Sequence, residues 1–232
     1  MGKKVEFVLD GQKITINIEK QLLAGRTSRD VEEVKKHLEE LRKTGVKLSD
    51  EAPIFHAKIA DRITSSQVLE YVPGWKSSGE VEFVLLVDDN DQIYVGVCSD
   101  HTDRDLQTYN TNLAKQVFDT AIAPEIWKYE DVIDHWDQLE MRSWVIDGDA
   151  KSLYQEGKLE EMLRPEVILE KVKERAVNGD IKNSLITGGT FPTITGDLNY
   201  GNQFMFELWD PVRKKKISHQ YEVETIKWFA KH

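Results

Sequence analysis

The chain has 232 residues, with 31 Lys and Arg against 41 Asp and Glu, for a formal net charge of −10. Hydrophobic residues make up 40%, with 14 glycines and 6 prolines, which excludes a disordered, collagen-like or low-complexity chain. A chain of this length buries roughly 70% of its unfolded surface, so its core needs no covalent staples, and the single Cys98 forbids an internal disulfide or a thiolate cluster. The acidic balance argues against non-specific nucleic-acid binding while leaving room for a local basic patch, no run of 18 apolar residues occurs to span a membrane, and no apolar stretch follows the first lysines. A soluble cytoplasmic protein is the expectation.

The first eighteen residues predict a hairpin. Val5, Phe7 and Leu9 alternate with polar neighbours, Asp10-Gly11 supplies the turn, and Ile14, Ile16 and Ile18 alternate on the return. From Ser28 to Thr44 the period becomes helical, with Ser28 as N-cap, Val31, Val34, Leu38 and Leu41 as the apolar stripe and Gly45 as terminator. The run from Glu80 to Val87, the polar turn Asp88–Asp91 and the run from Ile93 to Cys98 predict a second hairpin. Leu113 to Asp119 reads as a short helix or turn. Leu139 to Ile146 predicts a strand, followed by an Asp147-Gly148-Asp149 turn and an extended piece to Gln155. Leu159 to Lys173 is helical, with Pro165 as a boundary or first turn. Ser184–Thr187, Gln203–Trp209 and Ile217–Val223 complete a mixed α+β protein with more strand than helix. Residues 1–50 are expected to form a hairpin and helix, and residues 51–232 the larger domain.

Glu80 and Glu82 carry the chemistry. Two residues apart on a strand, they share a face. That face is either solvated or, because Val81, Phe83, Val84, Leu85 and Leu86 make the strand read as buried, in need of a neutralising cation. Asp100 closes the next strand, and a hairpin brings it back beside them. Three carboxylates with no cysteine favour Mg²⁺ or Mn²⁺ and leave coordination positions open for a chelating oxygen substrate.

Gly79-Glu80-Val81-Glu82, followed by Val95 through Gln107, resembles the fumarylacetoacetase-like superfamily, where a Glu-x-Glu strand precedes an Asn-Asp-x-Ser/Thr-Ala-Arg-Asp-x-Gln stretch. Lys115, Phe118-Asp119 and Pro124, then Gln155, Gly157, Met162 and Pro165, then Asp180 and Thr187-Gly188-Gly189-Thr190 with Pro192, follow that family's order over residues 75–224. The chain is most similar to a bacterial branch of domains of unknown function. The resemblance implies a mixed β-sandwich roll, a metal on Glu80, Glu82 and Asp100, a homodimer, and an oxo-carboxylate substrate held by Arg104, Gln107, Lys115 and Thr190. Lys115 would also stabilise a developing enolate, and the Gly188-Gly189 pair would let the backbone approach ligand.

Departures from the family pattern concern the base. Hydrolytic members carry a His and Glu pair on an N-terminal helix, whereas the corresponding position here falls near Val31. His37, flanked on its own helical face by Glu33 and Glu40, is the substitute candidate, or else a solvated surface histidine. His101, beside Asp100, is a second candidate base or a supporting group, and Asp103 next to Arg104 would weaken anion binding. Metal-dependent hydrolysis of a C–C bond is the leading expectation. An isomerase, hydratase or decarboxylase on the same site, or a non-catalytic metal and oxo-acid binder, is the alternative. Trp127, Trp136, Trp144 and Trp209 are read as core or interface, Cys98 as a small buried hydrophobe, His135 as a turn residue and Arg213–Lys216 as a solvated hairpin tip.

Overall fold

The computed structural model describes residues 2–32, 34, 35, 39, 51–71 and 76–228. In chain order the strands are β1 (Lys3–Leu9), β2 (Gln12–Ile18), β3 (Lys20–Gly25), β4 (Ile54–Lys58), β5 (Ile63–Thr64), β6 (Val68–Tyr71), β7 (Ser77–Ser78), β8 (Val81–Val87), β9 (Ile93–Ser99) and β10 (Thr102–Asp103). Two short helices come next, α1 (Arg104–Tyr109) and α2 (Thr111–Val117), then β11 (Thr120–Ile122), β12 (Glu125–Lys128), β13 (Glu140–Asp147) and β14 (Ala150–Lys158). Helix α3 (Pro165–Arg175) precedes β15 (Ser184–Thr187), β16 (Gln203–Asp210) and β17 (Lys215–Thr225).

Among the described residues, ten strands form one sheet, along the path β2-β1-β12-β9-β8-β15-β3-β4 with β11 and β5 joined at β9. Five form a second, β14-β13-β16-β17-β6. The mixed β-sandwich roll is therefore observed. The sequence expects the first hairpin, and Val5 pairs with Ile16 and Phe7 with Ile14 as its alternation demands. Its strands do not stand apart: β1 runs parallel to β12 and β3 parallel to β15, so elements on both sides of residue 50 share one sheet.

Every residue of β8 is buried, because β9 and β15 flank it on both edges and side chains cover both faces. Val84 and Leu86 pack with Phe7, Ile16 and Ile18 of the first hairpin. Phe83 and Leu85 face the second sheet, where the Phe83 ring meets Trp136 edge-on at 5.1 Å. At roughly 25 cal/mol per Å², such large side chains each contribute about 2 kcal/mol or more to holding the sheets together.

Pro165 sits in the first turn of α3, where its missing N–H costs nothing. Two expectations are corrected near residue 30. Asp30, not Ser28, caps the helical turn at Val31, since its Oδ1 accepts from the Glu32 amide at 3.0 Å, and Val31 is exposed instead of opening an apolar stripe. Helix α1 lies in a stretch to which the sequence assigns no element. Trp127 and Trp136 are buried, whereas Trp144 and Trp209 are only half-buried.

Candidate active site

The site grows from the β8–β9 hairpin. Glu82 lies opposite Cys98 and Val81 opposite Ser99, and the ladder extends one step further as the Asp100 amide donates to the Glu80 carbonyl at 3.0 Å. This register aligns the two glutamates of one strand with the aspartate at the end of the next. Oxygens of Glu80, Glu82 and Asp100 lie within 4.8 Å of one another, a spacing that suits a single cation.

Capping shapes the segment after Asp100. The Asp103 carboxylate accepts from the Leu106 amide at 2.7 Å and starts α1, which turns Arg104 inward. Asp103 thus faces a helix N-terminus and does not oppose Arg104. Asn110 caps α2 in the same way, through the Leu113 amide at 3.1 Å, and α2 delivers Lys115. Neither cation is a solvated surface group. Arg104 donates to Glu80 Oε1 at 2.8 Å, to Gln107 Oε1 at 2.9 Å and to Ser78 Oγ at 2.7 Å. Its ion-pair partner is therefore Glu80, not the neighbouring Asp103 or Asp105. Lys115 bridges Glu80 Oε2 at 2.7 Å and Asp100 Oδ2 at 2.6 Å, and also donates to Thr102.

These contacts split the two glutamates. Burial drives both carboxyls upward, but the Lys115 and Arg104 charges override it at Glu80 and hold that group at about 2. Glu82 touches neither cation. Burial, reinforced by the Asp100 and Glu80 charges, pushes it up to about 8. Its Oε2 accepts from the Gly189 amide at 3.0 Å. That approach needs glycines: Gly189 has φ +86°, and a Cβ on Gly188 would lie 2.0 Å from the Phe83 ring.

Thr190 joins the site's edge, its hydroxyl donating to the Val81 carbonyl at 2.8 Å and accepting from Gln155 at 2.8 Å. Gln107 is present through Arg104. His101 is wholly buried, with Nδ1 2.8 Å from the Tyr221 hydroxyl and the ring edge-on to Phe118 and Phe204. Burial, with the Arg104 and Lys58 charges, lowers it to about 3. A proton-accepting role needs access to a reacting atom, and this ring has none in the observed packing. His37, Glu33 and Glu40 lie outside the described residues. His135 bonds Asp210 at 2.9 Å.

Sequence reasoning misses Lys58, Gln155's clamping role and Tyr221. Lys58 is fully buried against Asp100. Burial is the main influence lowering its ammonium, aided by Lys115 and opposed by Asp100. The one available signal is a lysine closing β4 after Ile54, Phe55, His56 and Ala57.

The fold is of the fumarylacetoacetase-like type. Residues 24–221 match the family described as protein of unknown function DUF2848, and the chain belongs to that family. No curated protein matches the chain. Among solved structures, it is similar to a provisionally named fumarylpyruvate hydrolase from Burkholderia cenocepacia, at 18% identity and TM-score 0.65 over 98% of this chain and 97% of that one. It is also similar to the fumarylpyruvate hydrolase from Pseudomonas aeruginosa in complex with Mn²⁺ and pyruvate, at 17% identity and TM-score 0.63 over 96% of each chain. A third is 2-keto-3-deoxy-D-arabinonate dehydratase complexed with magnesium and 2,5-dioxopentanoate, at 12% identity and TM-score 0.59 over 93% of this chain and 77% of that one.

Proposed function

We propose that the protein is a divalent-metal-dependent enzyme acting on a small oxo- or dioxo-carboxylic acid. The observation that carries this reading is the cluster of three carboxylates within 4.8 Å, two of them almost wholly buried. The donor set fits Mg²⁺ or Mn²⁺: every candidate ligand is a hard oxygen, and among the described residues Glu82 forms no ion pair. Structures of the same fold holding Mn²⁺ with pyruvate and magnesium with 2,5-dioxopentanoate support the choice.

Glu80, Glu82 and Asp100 would hold the ion. When bound, the ion would supply Lewis-acid polarisation of the substrate's oxo group. Arg104 and Gln107 orient the carboxylate of the substrate, with the planar guanidinium matching its geometry. The Thr190 hydroxyl would reach the substrate by exchanging its bond to the Val81 carbonyl. The Lys115 ammonium stabilises negative charge developing on an enolate oxygen in a site shielded from water. C–C hydrolysis remains the leading reaction for this reading and needs a further group to activate water. His37 with Glu33 or Glu40 is the assignment to test for that role, since His101 is enclosed.

Thermal stability against Mn²⁺ and Mg²⁺, with and without oxalate, tests the reading. Saturation at about 100 times Kd adds roughly 2.7 kcal/mol, or roughly 5–11 °C in melting temperature for a chain of this size. We expect a metal-dependent rise that oxalate increases and Asp100→Asn abolishes. A metal-free protein whose melt responds to neither would overturn the proposal.

A further inference from the structure

Lys58 ends the edge strand β4, yet its side chain has no solvent exposure. Its ammonium donates to Asp100 Oδ1 at 3.3 Å and to Thr120 Oγ1 at 3.0 Å. Thr120 is itself fixed by Gln21, which donates to the same hydroxyl at 2.6 Å. Lys115 takes the other oxygen of Asp100. Both oxygens of one candidate ligand are therefore engaged by lysines from opposite sides, while Arg104 engages Glu80.

Three cationic side chains thus already face the three carboxylates. A divalent ion entering alone adds uncompensated positive charge to a pocket screened from water, and must draw Asp100 away from Lys58. An oxo-carboxylate entering with it restores the balance. We propose that Lys58 is a positioning residue that competes with the metal for Asp100, so that metal and anionic oxo acid bind as a pair and either alone binds weakly. This inference rests on the metal-dependent reading above. By linkage, oxalate then raises Mn²⁺ affinity by the same factor as Mn²⁺ raises oxalate affinity.

Titration calorimetry of the full chain with Mn²⁺, in the absence and presence of saturating oxalate, tests it on wild type, Lys58→Met and Lys58→Arg. Removing a buried charge a few ångströms from the site should tighten binding of Mn²⁺ alone by about tenfold or more. Lys58→Met should accordingly show a smaller gain from oxalate, and Lys58→Arg, which keeps the charge, should behave as wild type. If Lys58→Met fails to fold, Lys58→Gln is read in the same way. A folded neutral variant that binds Mn²⁺ no tighter than wild type overturns the Lys58 proposal and leaves the metal reading intact. Wild type that binds no Mn²⁺ with or without oxalate overturns both.

Discussion

Glu82 shows how a single residue can be costly to the fold and central to the proposed site. Its carboxyl titrates near 8 in the folded protein against an ordinary 4.5, because burial and the Asp100 charge disfavour ionisation. The folded state therefore holds this proton more tightly than the unfolded chain. Its contribution is fully present below about 4.5 and is lost as pH rises through about 8. Glu82→Gln should remove that slope and raise the metal-free melting temperature at pH 8–9 by a few degrees, at about 2–4 °C per kcal/mol for a chain of this size. The same variant should lose its response to Mn²⁺. Melting curves across pH check both, and a Glu82→Gln profile that parallels wild type would refute the assignment. The Glu-x-Glu pair and Asp100 are legible in sequence because the clash of carboxylates with an apolar strand is local. Lys58 and His101 are not, because their meaning depends on Asp100 and Tyr221, which lie 42 and 120 positions away respectively.

Individual elements are legible in proportion to their length and periodicity. β8, β9 and β15 lie within a residue of where their apolar runs predict, β13 is shifted by one residue, β16 is one residue longer, and β17 runs two residues past its predicted run at each end. Helix α1, at six residues, has no room for a helical repeat and exists because Asp103 caps it. β11 and β12, at three and four residues, are strands by virtue of pairing with β9 and carry no alternation of their own. The Leu159–Lys173 pattern proves to be a 3₁₀ turn followed by α3, with Pro165 at the join. Gln155 shows what a residue on one strand can hold in three places. Its Oε1 accepts from the Val81 amide and the Ser143 hydroxyl, and its Nε2 donates to Thr190 and to the Phe191 carbonyl at 2.6 Å. Gln155→Met keeps the volume and strands buried partners, which should cost about 1–3 kcal/mol. A lowered urea midpoint is the expected result, and an unchanged one would show that the clamp is dispensable.

At the scale of the whole molecule, the first hairpin is a wall of the core and not an appendage. Val5, Phe7, Ile16 and Ile18 cover the face of β8 that carries Val84 and Leu86. A chain lacking residues 2–19 should therefore lose cooperative unfolding and bind a hydrophobic dye; retention of a sharp melt would contradict this packing. The two sheets meet at Tyr221, whose hydroxyl is hydrogen-bonded to Ser99 and His101 at 2.8 Å each, while Ser99 accepts from the Glu80 amide at 3.2 Å. The small sheet, through β17, thus sets the depth at which Glu80 sits in the large one. A half-assembled chain would possess every acidic side chain and still have nowhere to chelate. Under the proposed reading the site is completed only when the sheets dock, so the joint between them doubles as a check on assembly.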